Sequence, residues 1–420
     1  MKNHKQGVLF KNTIMLYILT FSNYFFSFIT VPYQTRILGT VMYGEIGFAQ
    51  AMTVYIQLVL DFGFILSSTE DVARHRDDPK ELSRIMSSVT VCKLLLGLLS
   101  YAVVTGLCLT VDRFRENMLL HQLFFLSTFL NCLLPDFLYR GMEKMSAITY
   151  RAVGMKLFFT AAIFVLLKDK EQCYLIPLLN SLGALGACAW TYYDVYRHLG
   201  VKFVKVRWNY IWQTMRRSSS YFVSRIASTV YSATNTLIVG FIYPTGSALG
   251  LYTSAEKLMT TARSAFSPIA DSLYPYMVKN KDYRLVKRIL AILMPIIIVG
   301  CTVVAIFAEE FCGLLFGQEF AASGELLRLL MPAVVVALPC YIFGFPMLSP
   351  MGLGKFANLS VVIAAFWHAG VMLVLYACHA LTVRNICIAT SVTETLVLVL
   401  RVSAVLLHKR NAAKSNDAHK

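Results

Sequence analysis

Apolar runs of roughly 18 to 25 residues recur along the whole chain, each long enough to cross a hydrocarbon core of about 30 Å. The runs are continuous rather than alternating, so they specify helices and not barrel strands. With 57% hydrophobic residues, 15% charged residues and a mean hydropathy of +0.60, 420 residues carry more apolar surface than one soluble core could hide. A soluble fold is excluded.

Twelve spans are expected, near 10–31, 43–67, 85–108, 118–138, 151–167, 173–196, 218–242, 249–275, 289–311, 325–348, 356–378 and 383–408. The connections are too short to fold as separate domains. The mildly basic Met1–Phe10 leads into the first span without a small-residue cleavage site, which reads as an uncleaved signal-anchor. Lys and Arg fix the orientation. With the N-terminus inside, 26 of the 39 fall on inner segments, Arg140 and Arg151 among them, and 6 on outer ones, Arg113 among them, the other 7 lying within spans. Both termini are therefore expected in the cytoplasm, and the alternation requires an even number of spans.

The same basic loops account for the net charge of +16. They face an anionic leaflet, as membrane proteins ordinarily do, and no exposed domain carries the charge to a nucleic acid. The ten cysteines show neither Cys-x-x-Cys spacing nor a histidine partner, and read as small buried hydrophobes.

A faint repeat divides the chain. The turn from Arg36 through Leu38-Gly39 to Tyr43-Gly44-Glu45 finds an echo in Leu249-Gly250-Leu-Tyr252 and Glu256, about 210 residues on. An offset of six spans makes the repeat parallel, giving an N-terminal lobe at 1–205 and a C-terminal lobe with a short tail at 206–420. Helices beside these turns carry polar residues at spacings of three and four, which one helix face collects. Tyr17 and Tyr24 lie on span one, Gln57 on span two, Ser228, Ser232 and Asn235 on span seven, and Thr260 on span eight. A single such face is ordinary interhelical glue. Four of them, on repeat-related helices, point to a shared polar cavity.

Charges sharpen that expectation, because a charge in the bilayer core normally faces protein or water. Arg225 lies about 10 Å into span seven at 1.5 Å per residue, Arg263 near the middle of span eight, and Lys93 within span three. Such cations suit a phosphate or diphosphate, Arg through its bidentate fork. The alternative is internal pairing with Asp61, Glu256 or Asp271. Lys156 reads as snorkelling, and Glu394 with Arg401 as a structural pair or tail anchor. Asp61, Asp271 and Glu256 are the candidates for coupling to a proton or sodium ion. No cofactor is expected, no spacing supports a metal site, and no nucleophile–base pair stands out.

These motifs, taken in order, resemble the Wzx-type O-antigen and polysaccharide flippases of the multidrug/oligosaccharidyl-lipid/polysaccharide exporter superfamily. The resembling residues are Asn12 and Pro32, Leu38-Gly39 with Tyr43-Gly44, and Asp61-Phe62-Gly63 in the first half. The second half adds Asn235 to Gly240, Leu249 to Leu258, Phe316-Gly317-Gln-Glu-Phe320 and Gly352-Leu-Gly354-Lys355. The resemblance implies an all-α membrane fold of two pseudo-symmetric six-helix lobes around a central cavity, opening alternately to either side. It implies an undecaprenyl-diphosphate-linked oligosaccharide as cargo, carried from the cytoplasmic to the periplasmic leaflet of a bacterial inner membrane, with membrane lipids and polysaccharide-assembly proteins as partners. Two rivals have discriminating features. A cation-coupled drug antiporter of the same superfamily fits poorly with cavity cations. A polysaccharide polymerase or ligase would need catalytic residues in an outer loop, and the longest, 312–324, holds no Lys, Arg or His.

Overall fold

A computed structural model describes the backbone of residues 2–244 and 246–418, with side chains over the same ranges apart from 2–11, 13, 220, 223–232, 409 and 411–418. All regular structure among the described residues is helical. Packing divides the chain into two units, Met1–Pro244 and Thr245–Lys420.

The first unit opens with α1 (Lys2–Asp61), whose direction breaks at Gly39, φ 68° and ψ 177°. That backbone conformation strains any residue with a Cβ, so the expected ten-residue turn shrinks to one glycine. A second break follows at Phe62 (φ 38°) and Gly63 (φ 80°) before α2 (Phe64–Arg74). α3 (Pro79–Thr110) starts where Asp78 accepts from the amides of Lys80 and Glu81, with Pro79 in the first turn. Next come α4 (Asp112–Arg115), α5 (Met118–Leu133), α6 (Asp136–Gly141), α7 (Met145–Leu166), α8 (Leu175–His198) and α9 (Trp208–Ile242). The expected fourth span is thus cut at Leu134–Pro135, where proline has no amide to continue the helix. α9, which opens the 206–420 half in the sequence reading, packs mainly against α1, α2 and α3. Gly63 makes this approach feasible: a Cβ there would lie 2.7 Å from both the Ser218 carbonyl oxygen and the Tyr221 Cβ. Leu38, Ile46, Leu120, Phe124, Ile163, Ile176 and Leu179 form an apolar core shared by α1, α5, α7 and α8.

The second unit comprises α10 (Ala248–Ser264), α11 (Ser267–Asn280), α12 (Tyr283–Ile306), α13 (Ala308–Phe316), α14 (Ser323–Val335), α15 (Ala337–Ile342), α16 (Phe345–Leu348), α17 (Gly354–Ala377) and α18 (Val383–Ala418). The expected tenth span is broken into α14, α15 and α16, with Pro332, Pro339 and Pro346 along it. Its core joins Leu273, Met277, Leu338, Ile342, Leu348, Ala357 and Val405.

Ten of the twelve expected spans lie largely on nine described helical segments apolar enough to cross a membrane, because Ile14–Arg74 carries two of them; the ninth, 289–311, runs past the end of α12 at Ile306. Spans seven and eight are helical too: the described end of span seven, Ala233–Ile242, is apolar, and span eight is divided between α10 and α11, of 17 and 14 residues. α12 has a mean hydropathy of 2.9 over its most apolar stretch and none of that stretch buried by protein. A surface bearing Ile296, Val299 and Ile306, all more than 60% exposed, requires lipid around it.

Candidate functional site

Within the first unit, five helices enclose a polar cavity of about 350 Å³. α1 supplies Asn23, the end of α5 supplies Asn131, and the turn at Pro135 brings Asp136 and Arg140 of α6 to the same wall. α7 adds Arg151 and Lys156, one and a half turns apart on a helix, and α8 adds Asn180. Among the described residues, three cations therefore face one carboxylate. Arg151 is nearly fully buried; its Nη2 donates to Asp136 Oδ1 at 2.5 Å and its Nη1 to Thr191 Oγ1 at 3.4 Å. The Nε atoms of Arg151 and Arg140 are buried with no hydrogen-bond partner among the described residues. Asn131 donates to the Ser127 carbonyl at 2.8 Å. Excess positive charge accepts an anion, and side-chain amides donate to and accept from hydroxyl groups.

A second cluster lies where the break at Gly39 leads into the rest of α1. Glu45 is gripped bidentately by Arg113, at 2.7 and 3.0 Å, and receives a further bond from Asn117 Nδ2 at 3.0 Å. Arg113 Nε also donates to the Gly240 carbonyl at 2.9 Å, and its guanidinium lies 4.6 Å from the Phe48 ring centre. The cluster ties α1, α4, α5 and α9 together, and the pair is 9% exposed or less. In the second unit, Arg263 of α10 meets Glu394 of α18 at 2.5 Å. Arg401 is bonded elsewhere, to Ser360 Oγ and to the carbonyls of Cys340 and Ala357. The expected Glu394–Arg401 pairing gives way to Arg263, which reaches the carboxylate from another helix.

The remaining sequence candidates scatter. Lys93 is buried, donating to the Cys132 carbonyl at the break in the fourth span, 5.8 Å from the Phe137 ring. Tyr17 and Gln57 are exposed and Tyr24 half-buried on α1, while Asn235 is buried on α9. Thr260 turns back on its own helix, donating to the carbonyls of Glu256 and Lys257. Asp61 and Glu256 are half-buried, Glu256 accepting from Tyr252 at 3.2 Å, and Asp271 is exposed. The side chains of Arg225, Ser228 and Ser232 lie outside the described residues. Of the cavity residues, Arg140 and Arg151 read as loop charges in the sequence and Lys156 as snorkelling. Asparagines 23, 131 and 180, each inside an apolar run, were the available signal.

A family profile described as polysaccharide biosynthesis protein matches residues 9–281. The chain belongs to that family. A Shigella dysenteriae protein described as "Putative O-antigen transporter" is 26% identical over 365 residues, covering 85% of this chain and 90% of the relative. An Escherichia coli K12 protein of the same description is 24% identical over 283 residues, 67% of this chain and 68% of the relative. Among solved structures, the lipid II flippase MurJ in an inward closed conformation matches with a TM-score of 0.72 and 11% identity, over 94% of this chain and 87% of that one. An inward-facing multidrug resistance transporter of the MATE family matches with a TM-score of 0.64 and 13% identity, over 93% and 96%. Such low identities establish the fold alone. The family member is thus a multi-pass, all-α membrane protein of bacterial polysaccharide biosynthesis, and the resemblance drawn from its motifs holds.

Proposed function

We propose that the protein is a flippase for an undecaprenyl-diphosphate-linked oligosaccharide, an O-antigen or related surface-polysaccharide repeat unit. The observation that carries this reading is the cavity of the first unit. Its Arg140, Arg151 and Lys156 outnumber Asp136, and Asn23, Asn131 and Asn180 stand beside them. A diphosphate offers acceptors to the guanidinium and ammonium groups, and sugar hydroxyls match the amides. The family assignment and the relatives' description as O-antigen transporters support the same class of cargo.

The cargo moves from the cytoplasmic to the periplasmic leaflet of the inner membrane by alternating access, with both termini in the cytoplasm. Arg225 and Arg263 join in handling the diphosphate, Arg263 exchanging contact with Glu394 for contact with cargo. Such a cycle turns only if the cargo binds the two states with different affinity. Asp61, Asp271 and Glu256 provide the groups for proton or sodium coupling. The protein performs no bond chemistry, and assembly enzymes deliver and collect the cargo on either side.

Flipping of a fluorescent undecaprenyl-diphosphate oligosaccharide in proteoliposomes tests the reading, with Arg140→Ala/Lys156→Ala and Arg263→Ala beside the wild type. Transport by the wild type and its loss in correctly inserted variants is the expected result. A wild type that leaves the lipid in its original leaflet, with and without ion gradients, rejects the flippase and favours the antiporter.

A further inference from the structure

A second cavity, of about 500 Å³, runs along α7 and α8 and is walled by Tyr150, Gly154, Phe158, Gly186 and Trp190. It opens at the surface, where Tyr150 is 66% and Trp190 46% exposed. Arg151, Met155 and Gly183 line both this groove and the polar cavity. One layer of side chains therefore separates an open apolar space from a cationic one.

The glycines need explaining, because glycine weakens a helix relative to alanine. Small residues in membrane helices usually let two backbones approach. Gly154 and Gly186 serve no such contact: a Cβ at either would meet nothing within 4 Å. What the missing side chains leave is room in the groove. From Tyr150 to Phe158 the groove follows α7 for about 12 Å at 1.5 Å per residue, enough for the start of one extended chain.

We propose that the first unit binds the lipid carrier itself, with the diphosphate in the polar cavity and the first isoprene units in the groove. The inference rests on the flippase reading and adds where the carrier lies. Charge decides the head: Arg140 and Arg151 each present a buried Nε without a hydrogen-bond partner, and Lys156 lines the same wall. Shape decides the tail: a single groove suits one prenyl chain, whereas a phospholipid brings two chains and one phosphate.

The test measures binding to the purified full chain. The probes are undecaprenyl diphosphate and inorganic pyrophosphate, with phosphatidylglycerol as competitor. Gly154→Leu/Gly186→Leu fills the groove where open space admits the new side chains, and should weaken undecaprenyl diphosphate at least tenfold while leaving pyrophosphate unchanged. Arg140→Ala/Lys156→Ala should weaken both. Should the leucine pair fail to fold, a wild-type crosslink from a diazirine on the first isoprene units to Tyr150–Phe158 gives the same answer. Unchanged carrier binding in a folded groove-filled variant overturns the proposal, as does a crosslink mapping elsewhere. Displacement by equimolar phosphatidylglycerol also overturns it, by showing a site for bulk lipid. Flipping assayed in parallel separates the two claims. Wild-type flipping with groove-independent binding rejects the groove alone, and groove-dependent binding without flipping rejects the flippase alone.

Discussion

Removing Arg113 should unfold the first unit more readily than any surface change, and the geometry sets the size of the effect. The Glu45 carboxylate receives two bonds from Arg113 and one from Asn117, with both partners of the pair at 9% exposure or less. Arg113→Ala leaves that carboxylate with Asn117 alone and strips the Gly240 carbonyl of its donor. Breaking one side of such a buried pair costs about 3–5 kcal/mol. Glu45→Ala should fall at the lower end of that range, because Arg113 keeps Gly240 and a 3.5 Å contact with the half-exposed Glu116. Adding the single losses gives roughly 6–9 kcal/mol, but the double variant carries no orphaned charge. It leaves the neutral groups of Gly240 and Asn117, at about 1–3 kcal/mol each, so its loss should fall short of the sum of the single losses. For a unit of this length, about 2–4 °C per kcal/mol turns the loss from Arg113→Ala into roughly 6–20 °C. A thiol-reactive dye reads the melt in detergent, since nine of the ten cysteines are buried or half-buried. Additive losses in the double variant would refute the coupling.

Other perturbations follow from single contacts. Gly324→Ala should lower the melting temperature by several degrees, because its Cβ would lie 2.4 Å from the Glu309 backbone nitrogen. Gly370→Ala, which meets nothing within 4 Å, should be neutral or raise it, and equal melts would contradict the packing of α13 on α14. Cys378, the one exposed cysteine, lies between α17 and α18 and should be labelled by an impermeant maleimide from the periplasmic side of spheroplasts. Labelling only after lysis would invert the proposed topology. Arg401→Met should cost about 1–3 kcal/mol per acceptor left unbonded among Ser360, Cys340 and Ala357, a loss that thermal melts can measure.

Periodicity and length made the helices legible, because lipid demands continuous apolar runs and satisfied backbone groups. Breaks were less so. Asp61-Phe62-Gly63 stood out as a motif, but its cause is the left-handed backbone and the approach of Ser218, about 155 residues later. The prolines at 135 and along 332–346 fall in spans expected to run unbroken, and the helices stop and restart there. Charges were hardest. Arg113 counted as an outer-loop cation because counting cannot reveal that Glu45, 68 positions earlier, folds onto it. Arg151 counted as loop because α7 begins six residues before the expected span. Pairing across a fold depends on which faces meet, and spacing within one helix carries no record of that.

The way each cation is held ranks what a diphosphate would gain from it. A cation already bonded to protein must give up that partner, so the cost of release is subtracted from the new contact. Lys93 would abandon the Cys132 carbonyl, and Arg401 three acceptors at once. Releasing Arg263 exposes a different cost, since Glu394 is only 3% exposed and would remain as a buried charge. Arg140 gives up nothing through its Nε, which has no partner among the described residues. Sequence position placed Arg225, Arg263 and Lys93 by depth in the membrane, which measures how costly a charge is to bury. Binding depends on how much of that cost the protein has already offset, and by that measure Arg140 would gain more from a diphosphate than Arg263 would.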